Sequence, residues 1–164
     1  DDGSPFDKDR TRTFEAATKL LLTPGISQVY YGDETARDLT IEGASGDATL
    51  RSNMNWNDVQ NNAETKKLLV HYQKLGKFRA DHPAVGAGVH QMVSSSLYWF
   101  TRTFNTDKVL IGLDLNTGTK EVSVTGIFEN GTKLRDAYSG KTVKVENGKA
   151  IINTEFSLVL FEQI

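Results

Sequence analysis

The sequence predicts an α+β fold in which helices and one buried strand precede an antiparallel β-sandwich. Three observations indicate this. Apolar residues recur at helical spacing in two segments before residue 86, an apolar run between those segments has the length and composition of a strand, and the apolar period changes to two from Val89 onward. The change in character falls near Gly86-Ala87-Gly88. We therefore expect two domains, residues 1–86 and residues 87–164.

The first predicted helix runs from Arg10 to Leu22, with Ala17 and Leu21 on its apolar face. Thr23-Pro24-Gly25 ends this helix, because proline lacks the backbone donor and glycine accepts unusual dihedral angles. Residues 26–31 follow as a predicted buried strand. A helix, a tight turn and a buried strand in this order are typical of an α/β layer or barrel.

A long connection over residues 32–60 is rich in Gly, Asp, Asn and Ser. A loop of this length in a compact domain is usually functional or disordered. Met54 and Trp56 favour an ordered loop that these two large side chains anchor. Asp33 and Glu34 stand at its start, and the sequence leaves two roles open for them. They either bind a ligand or fix the loop through hydrogen bonds or a pair with an arginine.

The second predicted helix covers residues 63–79. Asn61 is its expected N-cap, since Glu64 follows three residues later as in a capping box. His82-Pro83 ends the helix, because the residue before a proline avoids the helical region.

The segment after residue 89 contains about eight short strands separated by turn sequences such as Asn130-Gly131 and Asn147-Gly148. This spacing is typical of an antiparallel sandwich with Greek-key connections. We expect residues 88–164 to fold alone. Residues 1–86 contain only one predicted strand and two predicted helices; the lone strand leaves backbone donors and acceptors unpaired, so this segment needs neighbouring strands from elsewhere.

Composition excludes several classes of protein. Nineteen Lys and Arg against 21 Asp and Glu give a net charge of −2, so no basic surplus points to nucleic acid or to an anionic membrane. No apolar run approaches the roughly 20 residues that span a bilayer. The absence of Cys excludes disulfides and thiolate metal sites within this sequence. The chain does not begin with Met, so an export signal would not be visible in it.

Charged residues at two places are candidates for chemistry. Asp1 and Asp2 precede a turn, and after a preceding strand they would lie where barrel enzymes place catalytic groups; otherwise they are two solvated acids. Asp47 and Arg51 lie four residues apart in the long loop. They are suited to grip sugar hydroxyls through charge-assisted hydrogen bonds, and a surface ion pair of small energetic value is the equal alternative.

The histidines and the aromatic residues favour structural roles. The three histidines, His71, His82 and His90, fall on a helix face, at a helix end and on a strand, so we expect each to be structural. Four aromatic side chains of one predicted strand form either a sugar-stacking platform or, as their period-two spacing favours, part of the core. They are Tyr98, Trp99, Phe100 and Phe104.

Three features occur in a characteristic order: residues 23–34, the motif Arg51-x-x-Met54-x-Trp56, and the second helix followed by His82-Pro83-Ala84-Val85. In this order and spacing, the chain resembles the α-amylase family of glycoside hydrolases. The three features are similar to that family's eighth barrel strand, the loop after it and the final barrel helix. The remaining strands resemble the C-terminal β-sandwich that follows the barrel.

The resemblance implies a C-terminal fragment: the last βα elements of a TIM (β/α)8 barrel in residues 1–86, followed by an antiparallel Greek-key β-sandwich in residues 87–164. Asp1 matches the family's aspartate that stabilises the transition state, with Asp2 as a second candidate for that position. Asp47 and Arg51 match the pair that holds glucose units on the non-reducing side of the cleaved bond. No metal ligand is carried over and no cofactor is expected in this segment, since the calcium site of many relatives lies upstream.

The implied activity is retaining hydrolysis of α-1,4-glucosidic bonds in starch or maltooligosaccharides. The nucleophile and the acid/base belong to strands that this sequence does not contain, so the isolated chain is expected to be inactive. The expected partners are the α-glucan substrate and the rest of the barrel, without nucleic acid or membrane. Extracellular, cell-surface and periplasmic locations all fit the resemblance.

Two alternatives stay open at this point. In the first alternative, the chain is a non-catalytic β-sandwich module that binds carbohydrate or supports a partner domain, and the N-terminal helices only pack against it. Within the family, an α-1,6 hydrolase or a transglycosylase would look the same here, because the determinants of specificity lie largely in upstream loops.

Overall fold

The fold of the chain is α+β with mainly antiparallel sheets, as seen in a computed structural model that describes residues 11–94 and 96–164. Two compact units are present. One comprises residues 11–21 with Ile26–Leu75, and the other comprises Leu22–Gly25 with Gly76–Ile164. The division into domains at residues 86 and 87 stays a prediction.

The two helices predicted from the sequence are present, and two shorter ones accompany them. The helices are α1 (Thr13–Leu22), α2 (Trp56–Asn61), α3 (Ala63–Asp81) and α4 (Pro83–Ala87), with 3₁₀ turns at Asp33–Thr35 and Gly46–Leu50. Eight strands follow, as the sequence predicted. They are β1 (Val89–Met92), β2 (Tyr98–Phe104), β3 (Asp107–Leu113), β4 (Gly118–Ser123), β5 (Lys133–Asp136), β6 (Thr142–Lys144), β7 (Lys149–Thr154) and β8 (Val159–Gln163).

Helix α1 buries Ala17 and Leu21, as the sequence pattern predicts. The hydroxyl of Ser27 donates to the carbonyl of Leu20 at 2.6 Å, so one of the carbonyls left open at the helix end is satisfied just after the Pro24-Gly25 turn.

The predicted N-cap of α3 is wrong by one residue. The Oδ1 atom of Asn62, rather than that of Asn61, accepts hydrogen bonds from the backbone N–H groups of Glu64 at 2.9 Å and Thr65 at 3.2 Å. Asn61 is the last residue of α2, and its side chain donates to Asn57 instead. Because α2 occupies the position that reads as loop in the sequence, the cap moves to the single residue between the two helices.

The predicted strand over residues 26–31 is absent. None of the eight described strands pairs with this segment, and Ile26 is fully exposed while Val29 is 40% exposed. An extended backbone becomes a strand only beside a partner that takes up its N–H and C=O groups. The apolar run therefore has the composition of a strand, but the segment lacks the neighbouring strand with which it would pair.

The strands form a six-stranded antiparallel sheet in the order β1-β2-β3-β8-β5-β6 and a two-stranded sheet of β4 and β7. Side chains from both sheets and from the segments that connect their strands make one core. Its buried members are Trp99, Leu110, Leu115, Val122, Val124, Phe128, Leu134, Val145, Ala150, Ile152, Val159 and Phe161. Trp99 lies over Gly112, where a Cβ atom would come within 2.7 Å of the indole ring.

The opposite face of the six-stranded sheet is also buried at its centre. Helix α4 packs against β2 and β3, and its Ala84 and Val85 are fully buried. Strand β3 is consequently buried on both faces from Val109 to Leu113. This explains why the strand reads as a nearly continuous apolar run in the sequence rather than as an alternating one.

Candidate functional site

A tight turn begins the long loop. Gly32 has a φ of 86°, the 3₁₀ turn follows, and Ala36 closes it with a φ of 52°. The carboxylate of Asp33 accepts from the backbone N–H of Tyr30 at 3.2 Å, and that of Glu34 accepts from the N–H of Gly32 at 3.0 Å. Of the two roles left open by the sequence, these bonds correspond to the structural one, in which both acids fix the loop.

Arg37 is the centre of this loop, and the sequence analysis did not single it out. Its side chain has no exposed area. Its Nε donates to the carbonyl of Tyr31 at 2.9 Å, its Nη2 to that of Leu50 at 3.0 Å, and its Nη1 to that of Ser52 at 3.1 Å. One guanidinium group thus binds three carbonyls in two stretches of backbone, which are up to 21 residues apart.

Aromatic contacts complete the environment of Arg37. The guanidinium carbon lies 3.9 Å from the centre of the Tyr31 ring and 5.4 Å from that of Tyr30, both within cation–π range. A Cβ atom at Gly32 would lie 2.5 Å from Nε of Arg37. Glycine at position 32 is therefore required both by its φ and by the guanidinium group beside it.

Side-chain hydrogen bonds join further parts of the loop. Asn55 accepts from the hydroxyl of Thr35 at 2.8 Å and donates to the Thr35 carbonyl at 2.9 Å, while the hydroxyl of Tyr31 donates to the Ser52 carbonyl at 3.1 Å. The loop is ordered, as predicted, but the anchor assigned to Trp56 is wrong. Trp56 is 65% exposed at the start of α2, so it does not anchor the loop. Hydrogen bonds from side chains to backbone groups hold the loop instead.

Asp47 and Arg51 lie on the surface of this loop. Asp47 is in the second 3₁₀ turn and Arg51 is the residue directly after it. Both are exposed, and no ion pair joins them in the part of the chain that the structure describes. The surface ion pair considered from the sequence is not formed, and both charged groups face solvent. Asp1 and Asp2 lie outside the described residues.

His71 joins α1 to α3. Its Nε2 donates to the carbonyl of Phe14 at 3.0 Å and lies 2.9 Å from the hydroxyl of Thr18. Burial lowers the pKa of His71, which the bond to Phe14 only partly offsets. A neutral imidazole held between two helices is the structural role expected for this histidine.

His82 lies between two carboxylates. Its Nδ1 is 2.8 Å from Asp107, its Nε2 is 2.7 Å from Glu162, and Arg135 donates to the other oxygen of Glu162. Burial lowers the pKa of His82, but the hydrogen bonds to the two carboxylates outweigh it, so the pKa lies above its ordinary value. Asp107 also accepts from the N–H of Ala84. Sequence reasoning missed this cluster, since its members are up to 80 residues apart.

The aromatic residues of β2 divide between core and surface. Trp99 and Phe100 are buried, on opposite faces of the sheet, whereas Phe104 is 41% exposed. A cleft of about 600 Å³ in the β-rich unit is lined by Lys108, Thr125, Gly126, Ile127, Phe128, Glu129, Asn130, Asn147 and Gly148. Its aromatic ring, that of Phe128, is buried. The cleft therefore lacks an open ring on which a sugar would stack.

Residues 11–94 and 96–164 contain no group of three or more His, Asp or Glu side chains arranged to hold a metal ion. They also contain no helix with the length and apolar character needed to cross a membrane.

Known proteins of similar sequence are amylases. The periplasmic alpha-amylase of Escherichia coli (strain K12) is 41% identical over 98 residues, which is 59% of this chain and 14% of that protein. The beta/alpha-amylase of Paenibacillus polymyxa is 30% identical over 152 residues, 88% of this chain and 12% of that protein. The chain thus spans about an eighth of the length of these relatives. No protein-family model matches it.

Solved structures give the same result. An Anoxybacillus alpha-amylase matches 92% of this chain with 28% identity and a TM-score of 0.66, and the match covers 32% of that chain. AmyP in complex with maltose matches 98% of this chain and 36% of its own, with a TM-score of 0.70; at 18% identity this likeness concerns the fold alone.

These matches define a class of protein. The chain is a relative of the α-amylase family of glycoside hydrolases, which confirms the resemblance seen in its motifs. Its α+β fold with mainly antiparallel sheets matches the C-terminal part of α-amylases.

Proposed function

We propose that this chain is part of a retaining α-amylase-like glycoside hydrolase that cleaves α-1,4-glucosidic bonds in starch or maltooligosaccharides. Residues 1–86 are the end of its (β/α)8 barrel, and residues 87–164 are its Greek-key β-sandwich. One observation carries the proposal: a rigid loop built around a buried arginine presents Asp47 and Arg51 to solvent at the positions that match the family's sugar-binding pair. The exposure of Ile26 and Val29 supports the barrel, whose other strands would cover them.

In this mechanism a carboxylate attacks the anomeric carbon to form a covalent glycosyl-enzyme, while a second carboxyl group protonates the leaving oxygen and then activates water. Asp1 is the third carboxylate, which holds the substrate and stabilises the transition state. Asp47 accepts hydrogen bonds from glucose hydroxyls and Arg51 donates to them, so the two residues orient the sugar on the non-reducing side of the cleaved bond.

The role of the pair is tested in the longer enzyme. We expect Arg51→Ala and Asp47→Ala each to raise KM for maltooligosaccharides about 10-fold, since each change removes charge-assisted hydrogen bonds of about 1.5–3 kcal/mol, part of which water replaces. Arg12→Ala is the matched control, because Arg12 is an exposed arginine whose side chain pairs with Glu15. Unchanged KM in both loop variants would contradict the assignment of the pair.

The purified 164-residue chain is expected to have no hydrolase activity, because an orienting carboxylate replaces neither the nucleophile nor the acid. Release of reducing sugar from starch is the measurement. A rate that Asp1→Asn abolishes would overturn this expectation.

The alternative function is a non-catalytic β-sandwich that binds carbohydrate or supports a partner domain. Exposed Phe104 is the observation in its favour, whereas the cleft beside Phe128 offers no open ring. Affinity electrophoresis of residues 76–164 on starch separates the two functions: retardation favours the binding module, and unchanged mobility favours the hydrolase.

The remaining proposals follow from the relatives. A periplasmic or extracellular location is proposed because one relative is named a periplasmic alpha-amylase. The proposed partners are a maltooligosaccharide and the rest of the barrel. No cofactor is proposed for this segment, and any calcium ion would bind upstream of it.

A further inference from the structure

We propose that Arg37 is a positioning residue that sets the backbone of Arg51 and thereby the sugar contact that Arg51 makes. The inference rests on the proposed function of Arg51 and adds to it the group that determines where the Arg51 side chain points. It concerns a residue that lies in the interior of the loop and does not itself reach the surface.

The two carbonyls that Arg37 binds with Nη1 and Nη2 flank Arg51 on either side. Nη2 donates to the carbonyl of Leu50 at 3.0 Å, and Nη1 donates to the carbonyl of Ser52 at 3.1 Å and to the Ser52 hydroxyl at 2.5 Å. The peptide group before Arg51 and the peptide group after Ser52 are therefore both fixed to one rigid, planar group. An exposed side chain whose backbone is held on both sides has little freedom beyond its own rotamers.

The guanidinium group is itself held from the other side of the loop. Nε donates to the carbonyl of Tyr31, and the plane packs on the Tyr31 ring at 3.9 Å. Tyr31 also reaches the Ser52 carbonyl through its hydroxyl at 3.1 Å. Arg37 and Tyr31 together thus form a bridge from the turn at Gly32 to residues 50–52.

Lysine at position 37 would keep the charge but not this bridge. Its ammonium is a single point with three donors, whereas the three carbonyls of Tyr31, Leu50 and Ser52 are spread around a planar fork. Arg37→Lys therefore leaves at least one of these carbonyls without its guanidinium donor and lets residues 50–52 shift. A shift of about 1 Å at a sugar-orienting group is enough to remove most of that group's contribution to the rate.

The test is a double-mutant cycle in the full-length enzyme, with kcat/KM for a maltooligosaccharide as the readout. We expect Arg37→Lys alone to lower kcat/KM about 5- to 10-fold, no more than Arg51→Ala itself does, and to change it less than about 2-fold in an Arg51→Ala background, because a residue that acts through Arg51 has nothing left to position. Arg12→Lys is the matched control and is expected to leave kcat/KM unchanged in both backgrounds.

The outcomes are distinguishable. If Arg51→Ala itself has no effect, the proposed function of the pair fails, and the positioning role fails with it. If Arg51→Ala lowers kcat/KM but Arg37→Lys lowers it equally in both backgrounds, Arg37 is merely structural and the inference alone is overturned.

A milder variant keeps the test decisive if Arg37→Lys does not fold. Ser52→Ala removes the hydroxyl that Arg37 binds, together with the bond from that hydroxyl to the carbonyl of Asp38, but retains the carbonyls of Tyr31, Leu50 and Ser52 as acceptors for Arg37. The same loss of effect in the Arg51→Ala background supports the inference, and an effect of equal size in both backgrounds contradicts it.

Discussion

At the scale of single residues, His82 shows how a structural histidine acquires a pH-dependent role. The sequence places it at the end of a helix, directly before Pro83, where we expect only a structural role. In the folded chain it bridges Asp107 and Glu162, and Asp107 in turn accepts from the N–H of Ala84. The protonated imidazole thus connects the α3–α4 junction to β3 and β8.

The stability of the chain is expected to fall as the pH rises through the folded-state pKa of His82. That pKa lies above its ordinary value of 6.5, so the folded state binds the proton more tightly than the unfolded state, and the contribution is complete below about pH 6.5. We expect this contribution to be lost at higher pH, as the proton dissociates from the imidazole of the folded chain. Urea unfolding at a series of pH values measures it, and His82→Gln should remove this step.

His71 provides a control of opposite sign. Its pKa is lowered by burial, so its contribution is present above the unfolded pKa and is lost as the pH falls. His71→Gln should therefore leave the alkaline step unchanged. An alkaline step of equal size in His82→Gln would contradict the assignment.

At the scale of elements, α3 shows the limit of reading a helix start from the sequence. Asn61 and Asn62 are adjacent, and both precede the helix in the printed sequence. The structure uses Asn62 as the cap, because Asn61 still belongs to α2.

Asn62→Ala is expected to lower the free energy of unfolding by about 1 kcal/mol, since the N–H groups of Glu64 and Thr65 lose their acceptor. Asn61→Ala is the matched control, with an expected change of less than about 0.5 kcal/mol for an exposed residue. Thermal unfolding followed by circular dichroism distinguishes them. A larger effect at Asn61 would restore the cap predicted from the sequence.

At the scale of the whole molecule, the unit that contains the sandwich begins before the strands do. It comprises Leu22–Gly25 and Gly76–Ile164, and therefore includes the end of α3 and all of α4. The boundary predicted from the sequence falls at residues 86–88, where the spacing of apolar residues changes from helical to period two. The sheet, however, also needs α4, which buries Ala84 and Val85 against β2 and β3.

Two truncated chains test this extension. Residues 76–164 are expected to unfold cooperatively, while residues 88–164 should be less stable by at least about 2 kcal/mol, because they lack both the buried side chains of α4 and the His82 bridge. Denaturant unfolding of the two purified segments, with Trp99 fluorescence as the signal, measures the difference. Equal stability would mean that the strands alone make the complete unit.

The sequence by itself determined the two longer helices, the number of strands after residue 88, the ordered loop and the family. These depend on short-range patterns: apolar spacing, turn residues, and motifs such as Arg51-x-x-Met54-x-Trp56. The tertiary structure decided whether residues 26–31 pair as a strand, which asparagine caps α3, and which groups surround Arg37 and His82. Backbone carbonyls carry no sequence signature, and a strand requires a partner; contacts of both kinds are fixed only when distant segments come together.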